Sequence, residues 1–381
     1  MKISPSTLAV FAIISMGLAV RLYRINQPLL EFFPPRQTQT AEITRNIYKN
    51  GWPDFWTPKV RYFTDGKPIP YVLEFPLYNG IIVILYHLFG PNIIFGRLLS
   101  LTLFIISSII FYKLVQSTIN NQQSTILALI FFVFSPLHIL VSRTFQPEEL
   151  AILLLLAAVY WRSWLIFSLA VLVKFPIALF FPVLLFDKKQ RKNMLFSFLK
   201  FIVALLPSVV WYLRASKLTV DNHISRAFQA ANWLQPKLWI SPSWYFSLFQ
   251  IEHIWIFTTL GLLFFILGIW GIGKQNFSLW RRWFISGTIY ALLFNYHMMT
   301  HEYYHLLLLP PLAVIVGSGI WLILSILPRV FWGRVIALGG ILLLFVSGLI
   351  FPALKKIIDA PLDPSKSSEV QVDRYIQTTT F

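Results

Sequence analysis

Residues 163–187 read SWLIFSLAVLVKFPIALFFPVLLFD, an apolar stretch whose one basic residue, Lys174, is followed two positions later by Pro176. Proline lacks the N–H donor that continues a helix, so we predict two half-length helices that meet at Lys174. A lysine there is costly unless it meets an anion or extends to the lipid headgroups. The stretch therefore predicts a broken membrane helix with a cation at the break.

Comparable apolar runs recur along the whole chain of 381 residues, 57% of which are hydrophobic and only 12% charged. An average soluble domain is about 45–50% apolar, so a water-soluble enzyme is excluded. Cysteine is absent, which excludes disulfides, thiolate metal sites and thiol nucleophiles. We predict an all-α polytopic bundle of about 11 spans of roughly 20 residues or less, at 8–20, 96–115, 124–141, 149–161, 163–174, 175–187, 194–213, 255–273, 282–299, 303–325 and 333–352.

The formal charge of +17 comes mainly from lysines and arginines between the spans, such as the run 188–192. With the N-terminus inside, these short-loop residues fall on the cytoplasmic side, as the positive-inside rule requires, and they also suit anionic membrane lipids. Nucleic acid is therefore not expected as a partner. We predict one integral membrane domain over 1–352, with a long first extracytoplasmic loop at 24–95 that contains juxtamembrane helices. A second large outer loop covers 214–254, and a short extracytoplasmic tail covers 353–381.

Three acidic residues on the predicted outer face are candidates for catalysis. Glu31 lies beside the rigid turn at Pro34-Pro35, just outside the first span. Glu74 stands in the apolar and aromatic stretch YVLEFPLY, where a carboxylate needs a cationic partner or a metal ion. Glu148 follows Pro147, and either serves in catalysis or simply supplies negative charge at a helix N-terminus. The residues alone do not rank these three.

Basic and aromatic residues on the same face are candidates for binding a phosphate group. Lys174 would meet such an anion, with Arg36 and Arg143 as neighbours. His301, Tyr303 and Tyr304 can hydrogen-bond either a phosphate or a sugar hydroxyl. His301 and His305 are four residues apart and would share one helical face, so they, with Glu74, are also candidates for a divalent metal. No glycine-rich nucleotide loop is present, so no nucleotide cofactor is expected.

The order of these features resembles the GT-C membrane glycosyltransferases, in particular the bacterial relatives of protein O-mannosyltransferases and the aminoarabinose transferase that modifies lipid A. The resemblance implies that Lys174 and His301 lie near a lipid phosphate. Such enzymes normally carry an acidic residue in the first outer loop, where this chain has Arg36, Gln37 and Gln39. The matching stretches are Arg36-Gln37-x-x-Thr40-Ala41-x-x-x-Arg45-Asn46, Glu74-Phe75-Pro76-Leu77-Tyr78, Phe89-Gly90 with Gly96-Arg97-Leu98-Leu99-Ser100, Arg143 with Pro147-Glu148, Leu172-Val173-Lys174-x-Pro176, and His301-x-Tyr303-Tyr304.

The resemblance and the residues together favour an inverting transfer of a sugar from a polyprenyl-phosphate donor to a lipid, glycan or protein acceptor. The active site would face the outside of a bacterial-type inner or plasma membrane, and no cofactor is expected beyond a possible divalent ion. Two alternatives stay open. A lipid-linked sugar transporter or flippase would also use broken helices and buried charges, and a non-catalytic assembly subunit would use its aromatic outer loops to bind a partner.

Overall fold

The computed structural model describes residues 4–61, 68–185, 193–219, 234–271, 277–326 and 331–367. Nearly all of this part of the chain is helical, and the described residues contain two short strands that pair in antiparallel register, Lys59 with Pro70 and Val60 with Ile69. The fold is therefore the predicted all-α bundle. The chain is an integral membrane protein, since its described residues include five helical segments that are long and apolar enough to span a membrane: Pro5–Leu22, Ile94–Thr118, Met194–Leu218, Pro242–Trp270 and Glu302–Ile326.

After the first helix, the first half of the chain forms three helices with a short strand pair among them, and then four more helices. These elements are α1 (Pro5–Leu22), α2 (Pro34–Asn50), α3 (Trp52–Trp56), β1 (Lys59–Val60), β2 (Ile69–Pro70), α4 (Leu77–Phe89), α5 (Ile94–Thr118), α6 (Gln122–Phe134), α7 (Pro136–Val141) and α8 (Glu148–Trp161).

Among its described residues, the second half contains the broken helix and the remaining long helices, together with one π segment and four 3-10 segments, the last of them at Pro364–Lys366. These elements are α9 (Trp164–Val173), the 3-10 turn Phe175–Phe180, α10 (Phe181–Leu184), α11 (Met194–Thr219), the 3-10 turn Pro236–Ile240, α12 (Pro242–Ile251), the π segment Glu252–Phe257, α13 (Thr258–Gly271), α14 (Ser278–Leu293), α15 (Asn295–Thr300), the 3-10 segment Glu302–Leu308, α16 (Leu309–Ile326) and α17 (Phe331–Asp359).

Small residues allow α16 to pack closely against two neighbouring helices. A Cβ atom on Gly319 would lie 1.9 Å from the backbone oxygen of Phe264 on α13, and one on Gly268 of α13 would lie 2.0 Å from the oxygen of Ile315. On the side facing α6, a Cβ on Gly317 would lie 2.5 Å from the backbone nitrogen of Ala128. Close backbone approach through glycine is typical of helix pairs in membranes, where burial of apolar surface does not drive association.

Several helix boundaries differ from the sequence-based prediction. The predicted span 124–141 divides at Pro136 into α6 and α7, and the predicted span 175–187 begins as a 3-10 turn rather than an α-helix. The predicted span 255–273 begins earlier, at Pro242, and passes through a π segment. The last span continues through Pro352 to Asp359. The basic run 188–192, residues 220–233 of the predicted second outer loop and residues 368–381 of the predicted tail lie outside the described residues.

Candidate active site

Arg36 is placed by the start of α2. Phe33, just before this helix, has a left-handed backbone conformation with φ of 46°, and Pro34 and Pro35 form the first helical positions. Proline suits these positions because the first N–H groups of a helix have no partner within it. The side chain of Arg36 leaves this first turn and contacts Glu74 Oε1 at 2.5 Å and Glu148 Oε1 at 3.3 Å. One guanidinium therefore joins two of the three acidic candidates.

Lys174 lies at the predicted break in the apolar stretch. Its backbone is extended, and its N–H donates to Ala170 as the last bond of α9. The Lys174 ammonium is 3.6 Å from Glu148 Oε1 and lies over the rings of Tyr304 and Tyr303, at 4.3 and 5.3 Å from their centroids. A cation against aromatic faces is stabilised by the ring quadrupole. The break thus delivers the ammonium to the same carboxylate that Arg36 contacts.

Glu74 reaches this cluster from an extended segment between β2 and α4. The N–H of Phe75 donates to the oxygen of Leu172 at 3.3 Å, and the indole N–H of Trp211 donates to the oxygen of Leu73 at 3.2 Å. The segment is therefore attached to α9 on one side and to α11 on the other. Glu74 is 20% exposed, whereas the Glu148 side chain is only 3% exposed.

These four charged side chains line one cavity of about 590 Å³. Glu148 Oε1 contacts both Arg36 and Lys174, while Glu148 Oε2 is buried and has no hydrogen-bond partner among the described residues. Burial by itself would lower the pKa of Arg36, but Glu74 and Glu148 outweigh it and raise that pKa well above its ordinary value. Two cations and two carboxylates therefore face one cavity large enough for a sugar and a phosphate.

His301, Tyr303 and Tyr304 form one wall of the cavity, as the sequence predicts. The His301 ring packs 4.9 Å from the ring of Phe33, and its Nδ1 is 2.7 Å from the Thr300 hydroxyl. Burial, assisted by His297 and by the cations Arg36 and Lys174, lowers the pKa of His301 to about 3. His301 is therefore a neutral hydrogen-bonding group at physiological pH.

Glu31 and Arg143 lie away from this cavity, inside the bundle. Glu31 is within 3.3 Å of both Arg97 and Arg143, and all three side chains are at most 1% exposed. The backbone oxygens of Ile25 and Pro28 accept from Arg97, and that of Arg24 accepts from Arg143. The triad therefore fixes the chain that leaves α1, and neither Glu31 nor Arg143 lines the cavity.

His305 does not share a face with His301, contrary to the helical spacing argument. The backbone at His301 is extended and the following segment is a 3-10 helix, so residues four apart are not in helical register. His305 turns inward, with Nδ1 2.6 Å from Glu252 and Nε2 2.7 Å from the oxygen of Met298. Within the described ranges, no group of three His, Cys, Asp or Glu side chains is placed to hold a metal ion.

The cavity also contains residues that the sequence analysis did not select. They are mainly aromatic. Three of them belong to the predicted loop 24–95 beside the selected residues, whereas the other three lie in the predicted spans 194–213 and 282–299, where no sequence signal marked them. They include Phe33, Gln39, Tyr71, Tyr212, Phe294 and His297.

The sequence matches no protein-family model and no curated protein sequence. Among solved structures, the chain is similar to ArnT from Cupriavidus metallidurans bound to undecaprenyl phosphate, with 14% identity and a TM-score of 0.57 over 97% of this chain and 75% of that chain. The fold is that of the GT-C membrane glycosyltransferases.

Two further GT-C structures support this fold. The same ArnT in its apo state gives a TM-score of 0.56 at 14% identity, over 98% of this chain and 76% of that one. The archaeal oligosaccharyltransferase AglB from Archaeoglobus fulgidus, in complex with an inhibitory peptide and a dolichol-phosphate, gives 0.52 at 12% identity, over 98% of this chain and 60% of that one. At these identities the comparison establishes the fold, and the chemistry has to be argued from the side chains.

Proposed function

We propose that this protein is a membrane glycosyltransferase that moves a sugar from a polyprenyl-phosphate donor to a lipid, glycan or protein acceptor. The observation that carries the proposal is the cavity in which Arg36 and Lys174 face Glu74 and Glu148. Cations suited to a departing phosphate and carboxylates suited to an acceptor proton are both needed for this reaction. These groups lie together in a fold for which two solved examples hold undecaprenyl phosphate or a dolichol-phosphate.

In the proposed mechanism Glu148 acts as the general base. Its Oε2 is free to accept the proton of the acceptor hydroxyl or amine, whereas its Oε1 already faces Arg36 and Lys174. The acceptor atom attacks the anomeric carbon, the bond from that carbon to the phosphate oxygen breaks, and the configuration inverts. Lys174 and Arg36 then stabilise the negative charge on the departing polyprenyl phosphate.

The other candidates take supporting roles in this proposal. Glu74 orients Arg36 and is the second candidate for the base. His301, Tyr303 and Tyr304 offer hydrogen bonds to the phosphate or to sugar hydroxyls, and Glu31 and Arg143 support the chain that leads into α2. Because the donor set among the described residues does not fit a divalent ion, no step is assigned to one. The location proposed for the cavity is the extracytoplasmic face of a bacterial inner or plasma membrane.

The test is release of free polyprenyl phosphate by the detergent-purified protein from a panel of polyprenyl-phosphate sugars, with membrane extract as the source of acceptors. We expect release from at least one donor and its loss in Lys174→Met, with Asp359→Asn as the control because Asp359 is exposed and outside the cavity. Parallel reactions with a chelator test the divalent ion. Absence of release from every donor would overturn the proposal, and movement of intact donor across vesicles would favour transport.

A further inference from the structure

Immediately behind Glu148, three side chains form a network that the proposed mechanism does not use. Glu149 is the second residue of α8, His138 lies on α7 and Ser107 lies on α5. All three are completely buried. The Ser107 hydroxyl donates to Glu149 Oε1 at 2.6 Å, and His138 Nε2 lies 3.1 Å from Glu149 Oε2 and 3.3 Å from Oε1. The network therefore joins three separate elements at one carboxyl group.

The geometry of His138 requires a proton between the imidazole and the carboxyl group. His138 Nδ1 is 2.6 Å from the backbone oxygen of Phe132, which can only accept, so Nδ1 carries a hydrogen. A neutral imidazole then has a lone pair on Nε2, which would face the lone pairs of a carboxylate. The contact with Glu149 is favourable only when one more proton is held there, either on Nε2 or on Glu149.

The surroundings hold this pair in one orientation. The His138 ring packs against the rings of Phe132 and Phe104, at 4.3 and 5.4 Å between centroids. The guanidinium of Arg21 also packs on the Phe104 ring, 3.6 Å from its centroid. Arg21 in turn donates to the Ser142 hydroxyl at 2.6 Å. The first turn of α8 is thus fixed against α5 and α7 on the side away from the cavity.

Glu148 and Glu149 are consecutive residues of one helix and contact different partners, the first the two cations and the second His138. A displacement of the first turn of α8 would carry Glu148 with it. Misplacement of a reacting group by about 1 Å can reduce a rate by roughly 100-fold. We propose that Glu149, His138 and Ser107 are positioning residues that hold Glu148 at its place in the cavity. This inference rests on the function proposed above.

The test compares amide and apolar replacements of the two adjacent glutamates. In Glu149→Gln the amide nitrogen can donate to His138 Nε2 and the amide oxygen can accept from Ser107, so both hydrogen bonds survive without the extra proton. We expect kcat within about 3-fold of wild type, since no hydrogen bond is lost. Glu149→Leu removes both bonds, and we expect kcat to fall about 10–100-fold with the donor KM within about 3-fold. Glu148→Gln should be inactive.

Ser107→Ala is the second test, because it removes only the hydroxyl, whose single proton faces Glu149 Oε1 at 2.6 Å and the backbone oxygen of Phe104 at 3.0 Å, and it is the variant most certain to fold. Loss of one bond corresponds to a fall in kcat of about 3–10-fold with an unchanged donor KM. Two results would overturn the positioning role while leaving the transferase intact. One is a Glu149→Gln variant as inactive as Glu148→Gln. The other is a kcat that does not fall in Ser107→Ala or in a folded Glu149→Leu variant. A wild-type protein that releases no polyprenyl phosphate would overturn the proposed function and this role with it.

Discussion

Replacing Glu148 by glutamine should abolish turnover and yet tighten the binding of free polyprenyl phosphate. In the empty cavity the Glu148 carboxylate is 3.6 Å from the Lys174 ammonium and 3.3 Å from Arg36. A phosphate must therefore share these cations with Glu148. Glutamine keeps the size of the side chain and removes its charge, so the competition ends while the general base is lost.

The size of the effect follows from this geometry. A phosphate oxygen bound to Lys174 at about 2.8 Å would lie at most ~6 Å from Glu148 Oε1, given the present contact. Two unit negative charges at ~6 Å repel by about 3 kcal/mol at an effective dielectric constant of ~20. Allowing half of that for relaxation of the side chains leaves about 1.4 kcal/mol, or roughly a 10-fold lower Kd. Loss of a general base costs about 100- to 10,000-fold in rate.

The assay is calorimetric titration of the detergent-purified variant with undecaprenyl phosphate, paired with the donor turnover assay. Asp359→Asn is the matched control because it removes one carboxylate from an exposed position outside the cavity. It should change neither quantity. Binding to Glu148→Gln that is weaker than to wild type would refute the reasoning, because it would mean that the carboxylate assists the phosphate rather than competing with it.

Four further outcomes follow from the same structure. Lys174→Met should weaken undecaprenyl phosphate binding by about 10-fold or more, the value of one charged hydrogen bond, whereas Lys174→Arg should recover part of the loss in the same titration. Glu31→Leu should lower folded yield and melting temperature severely, because removing one partner of a buried ion pair costs about 3–5 kcal/mol; an unchanged melting temperature would contradict the pairing. Gly319→Ala should impair folding through its 1.9 Å backbone contact, while Gly340→Ala, with nothing within 4 Å, should not, as size-exclusion profiles would show. The pKa of His301 falls from 6.5 to about 3 on folding, so between these pH values the unfolded chain binds a proton that the folded chain does not. Stability is therefore lost as the pH falls from about 6.5 toward 3. His301→Gln should flatten that part of a plot of melting temperature against pH.

Local sequence was sufficient to predict the features that depend on one uninterrupted segment. Lys174 is at a helix break because Pro176 follows it two positions later. The resemblance to the GT-C enzymes correctly indicated the fold, although the count of about eleven spans remains a prediction. The gathering of Arg36, Glu74 and Glu148 in one cavity agrees with their shared outer-face assignment.

Features that depend on contacts between distant segments could not be predicted in this way. From the sequence, Glu31 and Arg143 are candidates for catalysis and phosphate binding on the predicted outer face. Only the packing of the folded chain shows that they pair with each other. The prediction that His301 and His305 share one face required a continuous α-helix. The backbone is instead extended at His301 and forms a 3-10 helix after it. Glu149 is adjacent to Glu148 in sequence, yet its partners lie 11 and 42 positions away.

The extended segment that carries Glu74 has a consequence for how this protein could be divided or recombined. It belongs by sequence to the predicted first outer loop, but the main-chain hydrogen bond to Leu172 and the indole hydrogen bond from Trp211 attach it to two later helices. Exchanging the segment 24–95 alone with the corresponding segment of a GT-C enzyme would separate Glu74 from the two hydrogen bonds that fix its position. A working chimera would have to carry the end of α9 and the Trp211 turn of α11 together with the loop, so the smallest transferable unit is discontinuous in sequence.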